Sequence, residues 1–116
     1  MKYRVERATI TDRDLESIFD FLEQSYLSFG DSADGAIHRA ERRVIAIERA
    51  MQNLGGAPHQ GTLCNHILPG LRCVTKNRAV FYFEADDKKQ TVHVLAIFFG
   101  GKDHQREMLK RLRSSD

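Results

Sequence analysis

The sequence predicts a single α+β domain: a strand, an antiparallel helical hairpin, a three-stranded antiparallel meander and a short C-terminal helix. Apolar residues recur at spacings of three and four between residues 15 and 54, which is the period of helices packed on one face. Near Gly70 the pattern changes to short strand-like runs separated by turn residues. The 116 residues fit one domain, 1–116, and leave little room for a second.

The first half of the chain is expected to form a strand and two helices. Apolar and charged residues alternate over residues 3–7, which predicts a strand. Thr11 is expected to cap the first helix, which carries the Asp14 charge in its first turn and ends near Gly30. Its apolar face consists of Leu15, Ile18, Phe19, Leu22 and Tyr26.

The second helix has the clearest periodicity in the sequence. Asp31 or Ser32 can cap its beginning, and Gly55 and Gly56 are expected to end it, because glycine readily adopts the left-handed conformation. Its apolar stripe consists of Ile37, Ala40, Val44, Ile47, Met51 and Leu54. The short connection predicts that the two helices run antiparallel.

The second half is expected to form the meander. Residues 57–70 are expected to be a loop rich in proline and glycine, followed by strands at 71–76, 79–85 and 91–99 with turns at 77–78 and 86–89. Asp103 can cap the last helix, whose apolar positions are Met108, Leu109 and Leu112. The hairpin should pack on one face of the sheet. The expected shared core consists of Leu15, Ile18, Leu22, Ile37, Val44, Ile47, Met51, Val80 and Tyr82.

Composition excludes several classes of protein. A net charge of +2 is too mild to indicate nucleic-acid binding by itself. The sequence contains neither a membrane-spanning run of about 20 apolar residues nor the apolar core of a signal peptide, so we expect a cytoplasmic protein. A disulfide between Cys64 and Cys73 is disfavoured there. The spacing of His59, Cys64, His66 and Cys73 does not match a zinc motif, so no metal or cofactor is expected.

Five short segments, taken in order, resemble the RelE/ParE superfamily of toxins from type II toxin–antitoxin systems. They are residues 14–18 (DLESI), 57–61 (APHQG), 70–72 (GLR), 80–82 (VFY) and 94–97 (VLAI), the last followed by Gly100 and Asp103. The resemblance extends over nearly the whole chain and favours the ParE-like branch. It implies a toxin that inhibits DNA gyrase by binding, is neutralised by a cognate antitoxin and contacts DNA only through the antitoxin complex.

Two alternative functions come from other classes of protein. One is a RelE-like ribosome-dependent endoribonuclease that cleaves messenger RNA, and the other is a non-toxic relative that only binds its antitoxin. Phe99 and residues 101–103 stand where many ParE-like members have a histidine followed by an arginine-rich motif. RelE-like ribonucleases often have a tyrosine near the C-terminus, whereas this chain has none after Tyr82. The sequence therefore leaves open the cellular target and the retention of toxicity.

Candidate site residues outside the helical hairpin fall into two groups. For catalysis, His59, His66 or His104 can act as a general acid or base, while Arg72 and Lys102 hold a phosphate. For contacts with the target, the candidates are Arg72, Lys102, His104 and Arg106. The alternative is that these are exposed side chains without a function.

Antitoxin binding is assigned to the helical hairpin. Tyr26 and Phe29 are expected to be apolar anchors, and Arg39, Arg42 and Arg43 are expected to steer an acidic partner. The open edge of the sheet is the alternative docking place, because an unpaired edge can accept a strand or helix. A merely solvated helix face is the simpler explanation of the arginines.

Overall fold

A computed structural model of the chain describes residues 2–100 and 103–114 and confirms the predicted α+β architecture. A short 3₁₀ turn, Asn53–Gly56, follows the second helix. The strands are β1 Arg4–Arg7, β2 Thr62–Leu63, β3 Arg72–Lys76, β4 Ala79–Asp86 and β5 Thr91–Phe99. The helices are α1 Ile10–Ser28, α2 Ala33–Gln52 and α3 His104–Ser114.

All five strands form one sheet in the order β1-β5-β4-β3-β2. Strands β2 to β5 pair antiparallel, whereas β1 pairs parallel with β5. Asn77 and Arg78 connect β3 to β4 with φ angles of 52° and 66°. Two consecutive positive φ angles are typical of the tight hairpin turn whose twist matches that of the strands.

The structure corrects the expected start of α1. The N-cap position is Thr9 rather than Thr11. The Thr11 side chain is buried and donates a hydrogen bond to the Ala8 carbonyl at 2.6 Å, so it is not available to cap the helix. At the start of α2, by contrast, the Ser32 hydroxyl accepts the Gly35 amide at 3.0 Å and is the cap.

Gly55 has a different role from the one expected. Helix α2 ends at Gln52, before Gly55, and the φ angle of Gly55 is not positive. Its carbonyl accepts the Tyr3 amide at 2.8 Å, and a Cβ at this position would collide with the Tyr3 carbonyl oxygen. Glycine is therefore needed for the close approach of the N-terminal segment.

The hairpin packs on one face of the sheet and forms the larger core with it. Buried residues of α1 and α2 contact Phe81 and Phe83 of β4 and Val92 and Val94 of β5. The prediction that Val80 and Tyr82 belong to this core is wrong, because they point to the opposite face. Ile37 is only half-buried and lies outside this cluster.

The opposite face has its own core, which α3 covers. Met108 of α3 and Leu71 pack there with Val80 and Tyr82, whereas Leu109 is exposed. The Asp103 carboxylate accepts the Arg106 amide at 3.3 Å, as expected of a capping residue. The sheet is therefore buried on both faces, which explains the nearly continuous apolar run in β4.

A bulge in β5 changes which of its side chains face the hairpin. The pairing with β4 shifts between Tyr82 and Phe83, which leaves Leu95 as the extra residue. Val92 and Val94 face the hairpin before the bulge, and Ile97 does so after it. One inserted residue thus reverses the alternation, as bulges do.

The segment expected to be a loop at 57–70 contains β2, which pairs with β3 at the sheet edge. A strand of two residues has no periodicity by which the sequence could predict it. Within the described residues, no helix has the length and apolar character needed to cross a membrane.

Candidate functional site

Two of the catalytic candidates, Arg72 and His59, lie together around a carboxylate. One oxygen of Asp87 contacts both the His59 imidazole, at 2.7 Å, and the Tyr3 hydroxyl, at 2.8 Å. The Arg72 guanidinium donates to the His59 carbonyl at 2.7 Å. The cluster joins the N-terminal segment, the loop after α2, strand β3 and the β4–β5 turn.

The hydrogen bonds change the ionisation of this cluster. The Tyr3 hydroxyl, and after it His59, lowers the pKa of Asp87 by stabilising the carboxylate. The same bond raises the pKa of Tyr3, because the phenolate would face a negative charge. The cluster therefore favours an ionised carboxylate and a neutral tyrosine near neutral pH.

His104, another catalytic candidate, lies on the other face of the sheet. Its Nδ1 is 2.7 Å from the hydroxyl of Tyr82, which is fully buried. Burial, with a smaller contribution from nearby Cys73, raises the pKa of Tyr82, so this tyrosine stays neutral. In β3, by contrast, Arg72 stands opposite Phe83, which faces the hairpin. Arg72 and His104 therefore do not converge on one phosphate.

The target-binding candidates on the C-terminal segment are only partly described. Lys102, like Gly101, lies outside the described residues. Arg106 is exposed and lines an open groove of about 790 Å³ between α1, the end of β5 and α3. Phe21, Phe99, Asp103 and Lys110 also line this groove, which mixes aromatic and charged groups.

The hairpin candidates form a first small cluster near the α1–α2 connection. The guanidinium of Arg39 lies 3.9 Å from the centre of the Tyr26 ring. Arg39 also forms an ion pair with Asp31 at 2.8 Å. Tyr26 is half-buried and packs against the main core, so only part of its ring is open to a partner.

A second hairpin cluster lies at the end of β5. The Arg43 guanidinium is 5.6 Å from the Phe99 ring, which makes an edge contact with Phe21. Arg42 is exposed, and the Phe29 side chain is 83% exposed. The hairpin thus presents aromatic and basic groups to solvent in the combination that suits an acidic, amphipathic partner.

Sequence reasoning missed Tyr3, Asp87 and Asp14 as parts of polar clusters. Tyr3 and Asp87 are 84 positions apart, and Asp14 pairs with Arg111 across 97 positions. No local pattern marks contacts of this separation. Among the described residues, no group of three or more histidine, cysteine or acidic side chains is arranged to hold a metal ion.

Two solved structures resemble the chain along most of its length. A chain of the chromosomal ParDE toxin–antitoxin system from P. aeruginosa superposes with a TM-score of 0.63 at 18% identity, covering 86% of this chain and 98% of that one. A chain of the toxin–antitoxin complex RelBE2 from Mycobacterium tuberculosis superposes with a TM-score of 0.58 at 16% identity, covering 86% of this chain and 100% of that one.

No protein-family model matches the sequence, and no curated protein matches it. At identities below one fifth, the structural likeness concerns the fold. Its coverage of nearly the whole length of both solved chains agrees with the ordered motifs at residues 14–18, 57–61, 70–72 and 80–82. The chain therefore has the RelE/ParE fold.

Proposed function

We propose that the chain is the toxin of a type II toxin–antitoxin system, that it inhibits DNA gyrase by binding and that a cognate antitoxin neutralises it. The main support is the agreement of its fold with a chain of a ParDE system over 98% of that chain. The sequence motifs, which favour the ParE-like branch, support the same proposal. The site of action is then the cytoplasm.

The positions of the catalytic candidates favour binding over chemistry. Cleavage of RNA by its own 2′-hydroxyl needs a base, an acid and a charge stabiliser at one phosphate. Here Arg72 and His104 belong to opposite faces of the sheet, and the His104 ring is engaged by Tyr82. A binding inhibitor needs no such convergence.

The runner-up is an endoribonuclease, and one observation favours it. The His59 imidazole is held by the Asp87 carboxylate, an arrangement that can fix the orientation of a general base. Arg72 lies beside it, bonded to the His59 backbone. In this alternative, the exposed cluster of Tyr3, His59, Arg72 and Asp87 would be the active site.

Controlled expression in bacterial cells tests the proposal. Inhibition of gyrase should give filamentous cells with damaged DNA. Rapid arrest of translation with cleaved transcripts would support the ribonuclease instead, and normal growth would support a non-toxic relative. A chain carrying Ile47→Asp, in which a carboxylate replaces a fully buried core residue, is the control for effects of expression alone.

We propose further that the antitoxin docks on the hairpin, with Tyr26 and Phe29 as anchors and Arg39, Arg42 and Arg43 attracting its acidic residues. A segment that folds on binding must bury a long apolar surface to offset its lost entropy. We therefore expect an interface of about 1,000 Å² or more on each partner. Arg42 is the cleanest probe, since Arg39 also pairs with Asp31 and Arg43 also contacts the Phe99 ring of β5 and the Asn77 carbonyl of the β3–β4 turn.

Binding kinetics with the cognate antitoxin test the docking surface. Changing Arg39, Arg42 and Arg43 together to glutamate should slow association and weaken its dependence on salt. Arg42→Glu alone should do so to a lesser degree without disturbing the Arg39–Asp31 pair. Association rates that respond neither to these charges nor to ionic strength would exclude the steering role.

The proposed anchors, Tyr26 and Phe29, are tested by the dissociation rate of the complex rather than by its association rate. Phe29→Ala and Tyr26→Ala should each raise the dissociation rate, because anchor contacts act mainly after encounter. If neither does, the open edge of the sheet at β1 or β2 is the better docking place. Leu63→Ala on β2, whose side chain is about half-exposed, then becomes the informative variant.

A further inference from the structure

The two cysteines lie in contact at one edge of the sheet. The Sγ atoms of Cys64 and Cys73 are 3.2 Å apart. Cys73 lies in β3 opposite Thr62, and the Cys64 amide donates to the Leu71 carbonyl at 2.7 Å, which continues the β2–β3 pairing. Cys64 thus stands opposite Leu71, which is two positions from Cys73 along the chain. Residues two apart face the same side of a sheet, so the Cys64 and Cys73 thiols lie on the same face.

The two thiols differ in access to solvent. Cys64 is 1% exposed within the α3-side core, whereas Cys73 is partly exposed. A reagent can therefore reach Cys73, while Cys64 is shielded but already in contact with the Cys73 sulfur. In this arrangement Cys73 can react first with an oxidant, and Cys64 can then attack the oxidised Cys73 sulfur as the resolving thiol.

We propose that Cys64 and Cys73 form a redox-active pair that closes to an intramolecular disulfide with oxidants of the small-disulfide class, such as oxidised glutathione. The Cys73 thiolate attacks one oxidant sulfur, so that one S–S bond forms and one glutathione thiolate leaves. The Cys64 thiolate then attacks the Cys73 sulfur and releases the second glutathione. Overall, two protein thiols lose two electrons and two protons, and the oxidant gains them as two thiols.

The environment of the pair determines its rate of reaction. Burial, and then the hydrogen bond with Cys64, raises the pKa of the Cys73 thiol to about 12. Because the thiolate is the attacking species, oxidation should be slow at neutral pH. As long as the pH is below that pKa, the rate should rise about tenfold for each unit by which the pH increases. The pair should therefore exchange with oxidised glutathione mainly at alkaline pH and remain as free thiols for long near neutral pH.

Closure of the bond would tie the turn at 65–70 and the short strand β2 to β3. This segment is held by few backbone bonds, among them Leu71 to Leu68 and Ile67 to Cys64. Cross-linking it should raise the thermal midpoint by roughly 5 °C. Oxidation of this pair does not depend on the proposed binding of gyrase or antitoxin.

Incubation of the full chain with oxidised glutathione, followed by intact mass and non-reducing peptide mapping, tests the proposal. The expected product is a monomer lighter by two hydrogen atoms, with Cys64 linked to Cys73 and no retained glutathione. A reducing agent should restore both the mass and the original melting temperature. The rate should increase with pH as stated.

Two matched variants, with folding checked by circular dichroism, identify the order of events. Cys64→Ser should accumulate a stable glutathione adduct on Cys73, whereas Cys73→Ser should stay unmodified because its remaining thiol is buried. A wild-type chain that ends as a glutathione adduct would overturn the proposal. So would a chain that retains both free thiols while the Cys64→Ser variant is modified.

Discussion

Arg111 of α3 forms a two-pronged ion pair with Asp14 of α1, with Nη1 2.9 Å from Oδ2 and Nη2 in contact with Oδ1. Asp14 is buried, and its Oδ2 also accepts the amide of Ile97, just beyond the bulge in β5. The Arg111 guanidinium stacks over the Phe98 ring at 4.6 Å. One carboxylate therefore connects α1, β5 and α3, and it fixes α3 over the second core.

Removal of the Arg111 charge should destabilise the protein. Arg111→Met leaves Asp14 buried with only the Ile97 amide as a partner, and unpaired buried charges are costly. Since about a third of the Arg111 side chain is exposed, the expected loss is about 2 kcal/mol of unfolding free energy, measured by urea denaturation.

Arg113→Met is the matched control, because Arg113 is an exposed cation on the same helix. It should change the unfolding free energy by less than about 0.5 kcal/mol. Adding Asp14→Asn to Arg111→Met should cost less than the sum of the two single changes. Equal effects of the Arg111 and Arg113 variants would show that the pair does not hold α3.

Two isoleucines of α2 test the assignment of the main core. Ile47 is fully buried, whereas Ile45 is 47% exposed on the same helix. Ile47→Asp should unfold the domain, since burying a carboxylate costs several kcal/mol of a small total stability. Ile45→Asp should preserve the circular dichroism and change the melting temperature only slightly. Similar melting temperatures for the two variants would refute the packing described for α2.

The pKa of Asp87 should depend mainly on Tyr3. Its folded-state pKa is lowered, so its hydrogen bonds stabilise the fold above the unfolded-state pKa, and this contribution disappears as pH falls through the folded-state pKa, below about pH 4. Tyr3→Phe should raise the pKa toward its ordinary value, as followed by NMR of the carboxyl carbon. His59→Asn should raise it less. The reverse order, or no change, would contradict the geometry of the cluster.

No single histidine should be indispensable for growth arrest by a binding inhibitor. His59→Ala, His66→Ala and His104→Ala, each expressed at the level of the unchanged chain, are expected to retain toxicity. The measurement is colony formation after induction, with folding verified on the purified variants. Loss of toxicity in His59→Ala with intact folding would favour the ribonuclease and the cluster around Asp87.

Local patterns predicted the elements that local interactions determine. The predicted bounds of β5, 91–99, agree with the observed strand Thr91–Phe99, and of the two predicted caps of α2, Asp31 and Ser32, the structure has Ser32. The sequence could not show which side chains of β4 face the hairpin. Residues 80–83 are all apolar and all buried, so the strand has no alternation of apolar and polar residues. The bulge at Leu95 then reverses the phase of the neighbouring strand, which only the pairing reveals.

The polar clusters depend on contacts between distant parts of the chain. Asp14 looks like an ordinary acidic residue near a helix start, and only the return of α3 gives it a cationic partner. His59 and Arg72 were recognised as chemically capable residue types, but Tyr3 and Asp87 meet them only after the sheet has formed. Residue type was readable in the sequence, whereas convergence was not.

Supercoiling of relaxed plasmid DNA by purified gyrase, measured with and without the purified chain, tests inhibition of gyrase most directly. We expect inhibition that grows with the concentration of the chain, is relieved by the cognate antitoxin and is absent for Ile47→Asp. Supercoiling that proceeds unchanged at concentrations well above that of gyrase, while the same preparation cleaves messenger RNA on ribosomes, would contradict it.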